Sequence, residues 1–313
     1  MRTRPLGNTG IEVSEICLGT WGLSGDAYGA MIEPEIDRVI DKAVALGVTL
    51  FDTADVYGNG SMEKRLGERL PKESTYLVTK LGTDRTSKPA VKRFDVDYLR
   101  DAFERSRDRI GREKIDVVLL HNPSMHALSR PEPTEFLREL VRLGAIRAWG
   151  VSAGSDEVAR AAITEGAGVI ELAYSAVFPS DLHAIAGDVV ERNVGVLARS
   201  ILAHGLLGDR WAKERDFVPD DHRSDRWTRD EFARREAQRE SLRPLVKGDI
   251  KSIRTVAVKF VLANQVVSSA VIGPRSTRQL DELCEDAAGG PPYLKDTALA
   301  ELSARLKGAG VRA

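Results

Sequence analysis

Short apolar runs recur along the chain at Ile16–Leu18, Thr49–Phe51, Tyr76–Thr79, Val117–Leu120, Ala148–Val151, Val169–Leu172, Val194–Ala198 and Ala270–Ile272. Each has the length and composition of a strand buried on both faces. Amphipathic stretches of helical period separate them. In Val96–Ile110, Leu99, Phe103 and Ile110 share one face while Arg and Asp cover the other. Gly111 follows, a residue able to take the left-handed backbone that ends a helix. Strands alternating with helices pair in parallel, because each crossover returns the chain to the same end of the sheet. Eight such units predict an α/β fold, a closed (β/α)8 TIM barrel. An open dinucleotide-binding sheet would want G-x-G-x-x-G after an early strand, and Gly19, Gly22 and Gly25 are spaced differently.

Two features fall outside the repeat. Gly7-Asn8-Thr9-Gly10, between short extended segments, predicts an N-terminal β-hairpin. A long insertion after the seventh strand, from Asp209 to about Asp249, is highly charged and carries Trp211, Phe217, Trp227 and Phe232. Insertions at this point emerge at the mouth of such barrels, where they serve as lids. A surface helix from Thr228 to Leu242, capped by Thr228, fits the same residues. Leu294–Leu306 reads as a last outer helix.

A length of 313 residues suits one barrel domain, residues 1–313, at roughly 250 residues plus insertions. The net charge is −1 with both signs interspersed, so no global field gathers nucleic acid or anionic lipid. Cys17 and Cys284 are too few and too far apart for a disulfide framework or a metal cluster, and suit a reducing compartment. The N-terminus lacks the apolar core of a signal peptide, and no apolar run approaches the ~20 residues that span a bilayer. The expectation is a cytoplasmic protein without nucleic-acid or membrane partners.

Polar residues at the strand ends carry the chemistry. Asp52 and Tyr57 follow the second run, Lys80 ends the third and His121 ends the fourth. Side chains just beyond successive parallel strands converge on one mouth. Singly, each has an ordinary reading as a rim tyrosine, a surface charge or a turn histidine. Jointly, Asp52, Tyr57, Lys80 and His121 resemble, in type, order and strand context, the catalytic tetrad of the aldo-keto reductases. Gly58, Gly60-Ser61-Met62-Glu63 and Leu66-Gly67 are similar to that family's second loop and helix. The likeness runs from Leu6 to about Asp286.

The resemblance implies reduction of an aldehyde or ketone, a small-molecule substrate, with a nicotinamide cofactor. Tyr57 would be the proton donor. A free phenol titrates near ~10, and the Lys80 ammonium would lower that value. Asp52 would hold Lys80 charged and aimed, and His121 would hydrogen-bond the substrate oxygen. The cofactor would lie across the mouth against Gly19, Thr20, Trp21 and Asp52. Ser152 would meet the carboxamide, with Ala153 where the family often has asparagine. Glu171 stands where glutamine is usual, and an ionised carboxylate only accepts hydrogen bonds. Arg199 stands where many members stack a tyrosine; a guanidinium plane can also stack. Ser200 through Leu206, including Leu202 and Gly205, would cradle the pyrophosphate with backbone N–H groups. Gly273, Arg275, Gln279 and Glu282 resemble the adenosine end. Arg275 favours NADPH over NADH through its fork geometry for a 2′-phosphate, while Ser276 also suits a helix cap. Trp21, Tyr28, Asn122 and the insertion would wall the substrate, with Asn122 hinting at a polar wall. Asp221-His222-Arg223 admits either a cofactor-closing or a solvated reading. Two alternatives stay open: a non-redox barrel enzyme, which would want a His/Asp/Glu metal cluster, and a cofactor-binding regulatory protein of the same fold.

Overall fold

The structure, a computed structural model, describes residues 1–87, 89–208, 217, 221–224 and 227–312. A hairpin of β1 (Thr3–Pro5) and β2 (Glu12–Ser14) comes first. The chain then winds β3 (Ile16–Gly19), α1 (Glu33–Ala45), β4 (Leu50–Asp52), α2 (Ser61–Arg69) and β5 (Tyr76–Leu81). A small hairpin, β6 (Thr83–Asp84) with β7 (Val91–Lys92), precedes α3 (Val96–Ile110) and β8 (Ile115–His121). Next come α4 (Met125–Leu128), α5 (Pro131–Arg142), β9 (Ile146–Ser152), α6 (Asp156–Thr164), β10 (Val169–Ala173), α7 (Ser180–Arg192) and β11 (Gly195–Arg199). The chain ends with α8 (Arg229–Glu240), α9 (Ile253–Ala263), β12 (Ser269–Ile272), α10 (Thr277–Asp286) and α11 (Asp296–Gly308).

Strands β3, β4, β5, β8, β9, β10, β11 and β12 close into one parallel barrel, with β12 beside β3. These are the eight apolar runs of the sequence. Residues of one parity face the barrel axis, where Cys17, Leu50, Val78, Val117, Leu119, Val169, Leu197 and Val271 form an inner core. The other parity, Phe51, Leu77, Val118, Leu120 and Ile170 among them, packs outward under the helices. Continuing the inward parity one step places Asp52 after Leu50, Lys80 after Val78, His121 after Leu119, Glu171 after Val169 and Arg199 after Leu197. The alternation that fills the barrel therefore also aims its polar ends.

The N-terminal hairpin stops the opposite end, with Leu6, Ile11 and Val13 joining the inner core. Its turn comes so close that a Cβ on Gly7, at φ +53°, would lie 2.2 Å from the Gly195 nitrogen. Only glycine fits there. Helix α3 matches its sequence reading, starting at the Asp95 cap and ending at Gly111 with φ 63°. Thr228 caps α8 in a reciprocal box with Glu231, and the helix stops at Glu240. Trp211 and most of 209–220 lie outside the described residues. Cys17 and Cys284 are free thiols. Among the described residues no helix is long and apolar enough to cross a membrane, and no cluster of His, Cys, Asp and Glu could hold a metal ion.

Candidate active site

The register sets the strand ends side by side: Gly19 opposite Asp52, His121 opposite Ser152, Ser152 opposite Glu171, and Ala173 opposite Arg199. Lys80, 1% exposed, donates hydrogen bonds to the Asp52 carboxylate and to the Thr53 carbonyl at 3.0 Å. Its Nζ also lies 3.2 Å from Oε2 of Glu171 and 5.3 Å from the centre of the Tyr57 ring. The Tyr57 and His121 rings meet edge to face at 6.0 Å between centres. The four tetrad residues thus share one floor.

Electrostatics assigns each group a state. Burial pulls the Lys80 ammonium down, but Asp52 and Glu171 outweigh it, so its pKa is raised and it stays charged. Asp52 is pushed up to about 7, by burial first and by Glu171 second, against the pull of Lys80. Burial, with Lys92, Lys80 and Arg199 adding to it, holds His121 well below its ordinary value, so the imidazole is neutral. Its Nδ1 is buried without a hydrogen-bond partner among the described residues. For Tyr57 the sequence expectation needs correction. Lys80 and Arg199 do lower its pKa, but burial, Asp52 and Glu171 raise it more, and the net direction is upward. A phenol buried at the floor of the barrel mouth loses more hydration than one shared ammonium restores.

A cleft of about 1120 Å³ opens above this floor. Gly19, Trp21, Ser152, Glu171, Arg199, Ser200, Leu202, Gly205, Gly273, Arg275, Gln279 and Glu282 all line it, as do the proposed wall residues Tyr28 and Asn122. Thr20 and Leu206 do not. Thr20 is buried, and its N–H and hydroxyl both donate to the Asp52 carbonyl, at 2.9 and 3.0 Å, fixing the strand end that carries Asp52. Leu206 packs into the outer core.

Two other expectations are altered. The 200–206 loop has the left-handed residues of an anion nest, with φ 57° at Ser200, 47° at Ala203, 60° at His204 and 91° at Gly205. Yet the N–H groups of Ala203, Gly205 and Leu206 are bonded to carbonyls within the loop, because the turn is tight enough to close on itself. They do not form the open cradle expected of the whole stretch. At the far end, Arg275 donates to the carbonyls of Tyr28, Gly29 and Ala30, so its guanidinium braces that turn while still lining the cleft. Gln279 accepts from the Arg275 N–H at 2.7 Å, Ser276 caps α10, and Glu282 pairs with Arg254 and Arg278 at 2.9 Å.

Sequence reasoning missed Asp26 and Arg85, which line the cleft, and left Asp221-His222-Arg223 between two readings. Asp26 accepts from the Gly58 N–H at 2.6 Å and lies 3.3 Å from Arg85, which donates to the Val56 carbonyl; the pair clamps the Tyr57 loop. The Asp221-His222-Arg223 segment reaches the first loop, where the His222 N–H donates to the Ala27 carbonyl at 2.9 Å. Arg223 then lies 4.9 Å over the Tyr28 ring. No motif marks these residues; loops from distant strands bring them together.

The whole-chain comparisons agree with this geometry. Residues 15–287 match the model of the Aldo/keto reductase family, and the chain belongs to that family. It is an NAD(P)H-dependent oxidoreductase. The aldo-keto reductase YhdN of Bacillus subtilis is 27% identical over 293 residues, covering 91% of this chain and 88% of that one. The L-galactose dehydrogenase of Arabidopsis thaliana is 25% identical over 291 residues, covering 89% and 86%. Among solved structures, the glycerol dehydrogenase AKR11B4 of Gluconobacter oxydans superimposes with a TM-score of 0.85 at 26% identity, covering 99% and 97% of the two chains.

Proposed function

We propose that this enzyme uses NADPH to reduce a polar, hydroxylated aldehyde or ketone, with Tyr57 as proton donor. The observation that carries the reading is the shared floor, where the Tyr57 ring stands 5.3 Å from a charged, fully buried Lys80 and 6.0 Å from a neutral His121. Bound nicotinamide supplies the hydride. Neutral His121 donates to the substrate oxygen and turns it toward Tyr57. As negative charge grows on that oxygen, the Tyr57 hydroxyl gives up its proton to it, and the Lys80 ammonium stabilises the phenolate left behind. Asp52 keeps the ammonium aimed at the ring.

The cleft suits an extended dinucleotide by its size and by its sequence of groups. Ser152, Glu171 and Arg199 stand beside the floor, and Arg275 and Gln279 stand at the far end. Gly19, Trp21, Ser200, Leu202, Gly205, Gly273 and Glu282 would flank the cofactor, with Thr20 and Leu206 supporting from behind. NADPH is favoured over NADH because Arg223 and Arg275 bring two guanidinium groups to the same cleft. Asn122, with Asp26, Thr83 and Arg85 lining the same cleft, adds polar groups to the aromatic wall of Trp21 and Tyr28, which supports a hydroxylated substrate. The names of the glycerol and L-galactose dehydrogenases point the same way.

The test is Tyr57→Phe, assayed by NADPH oxidation against a panel of sugar-like and simple carbonyl compounds. Reduction should fall by roughly 10²–10⁴-fold while NADPH quenches tryptophan fluorescence as in the parent protein. A near-normal rate in the variant would sink the mechanism.

A further inference from the structure

The Glu171 carboxylate lies between two cations, and its Oε2 is buried without a hydrogen-bond partner among the described residues. Oε2 lies 3.2 Å from Nζ of Lys80, and Oε1 lies 3.7 Å from Nε of Arg199. The residue is 2% exposed. Arg199 is itself fixed, donating to the Ala153 carbonyl at 2.9 Å, and it lines the cleft. In the barrel order β10-β11-β12-β3-β4-β5-β8-β9, the strands of Glu171 and Asp52 stand diametrically opposite. The Lys80 ammonium is therefore shared between two buried carboxylates reaching it from opposite walls.

Neither Glu171 nor Arg199 makes sense alone. A second carboxylate on one buried ammonium would leave uncompensated negative charge, which is costly away from water. A lone guanidinium there would add to Lys80 and strip the phenol of its proton more readily. Together they form a second ion pair that leaves the cluster balanced.

We propose that Glu171 is a positioning residue which, by bridging Lys80 and Arg199 across the barrel, divides the Lys80 field and holds Tyr57 in its protonated, donor form. The inference rests on Tyr57 being the proton donor and adds what sets its proton. The charged and titratable groups facing Tyr57 are Lys80 from β5, Asp52 from β4, Glu171 from β10, Arg199 from β11 and His121 from β8. Facing Glu171 are Lys80, Arg199, Asp52 and, deeper in the inner core, the Cys17 thiol of β3. The device favours reduction, which needs the phenol, over alcohol oxidation, which needs the phenolate.

The experiment is the pH dependence of kcat for reduction at saturating cofactor in Glu171→Gln, Arg199→Gln and Arg199→Lys. A unit charge removed at this range, at the dielectric of a partly buried site, is expected to move the alkaline limb of Glu171→Gln down by about one to two pH units. Arg199→Gln should move it the other way, and Arg199→Lys should restore the parent profile. In parallel, tyrosinate absorbance is titrated in the cofactor-free proteins and compared with Tyr57→Phe counterparts. Tyr57 should ionise at lower pH in Glu171→Gln than in the parent protein. If Glu171→Gln does not fold, the two Arg199 variants carry the test. An unmoved limb, or a change confined to the KM for cofactor, overturns the proposal and leaves Glu171 a cofactor contact. A tyrosinate shift in a protein that reduces no carbonyl compound would uphold the proton-setting role and remove the reductase mechanism instead.

Discussion

Replacing Lys80 by methionine removes the ammonium from between Asp52 and Glu171 while nearly preserving side-chain length. A fixed-charge view predicts a loss of about 3–5 kcal/mol at every pH, because one partner of a buried pair is gone. The electrostatics of this site predicts otherwise. Asp52 is held up at about 7 even with Lys80 beside it. Its unfolded value is ~3.9, so the folded protein binds the proton more tightly, and this group's contribution to stability falls as pH rises from ~4 to ~7. In the parent protein the fall ends near 7, where Asp52 ionises against Lys80. In Lys80→Met that partner is missing, the folded pKa rises further, and the fall continues at about 1.4 kcal/mol per pH unit. Near pH 6 the Asp52 carboxyl is protonated in both proteins, and the variant loses about 2–3 kcal/mol, from the ammonium's bond to the Thr53 carbonyl and its ion pair with Glu171. By about pH 9 the gap should widen by a further ~3 kcal/mol. Urea denaturation at about pH 6, 7.5 and 9 reads this directly. Parallel stability profiles, or the full loss already present near pH 6, would refute the assigned protonation states.

Two further perturbations probe the ends of the molecule. Arg275→Met should weaken NADPH by about tenfold or more relative to NADH if the guanidinium meets a 2′-phosphate. Equal weakening of both, read by fluorescence titration, would make it only a brace for the 28–30 turn. Gly7→Ala forces a Cβ to 2.2 Å from the Gly195 nitrogen at φ +53°. It should cost about 2–4 kcal/mol in denaturation midpoint analysis, with KM unchanged because the hairpin lies at the opposite end from the cleft.

The eight strands and the tetrad were legible because both are written in local order: an apolar run, then a polar residue at the next inward position. Asp52, Lys80 and His121 each obey that rule. The α3 boundaries were legible from the apolar face of Val96–Ile110 and the left-handed Gly111 that ends it, while the Asp95 cap emerged only with the structure. What was not legible depends on which loops meet. The 28–30 carbonyls that occupy Arg275 lie far away in sequence, and so does Glu171 from Lys80. Burial was the other blind spot. A sequence shows Lys80 near Tyr57, but the desolvation that reverses the net shift on the phenol comes from the closed barrel around it.

The hairpin that stops the barrel also imposes an order of assembly. Arg4 is anchored by the carbonyls of Leu262, Asn264 and Val267, and Tyr293 bonds to Glu15. During synthesis the hairpin therefore leaves the ribosome long before the residues that seat it. The β3–β12 seam is of the same kind, joining Ile16 to Ala270. Sequence-distant contacts of this sort are formed at a large loop-closure cost. The growing chain must keep its first strands waiting, and the last barrel strand to emerge closes the ring on the first.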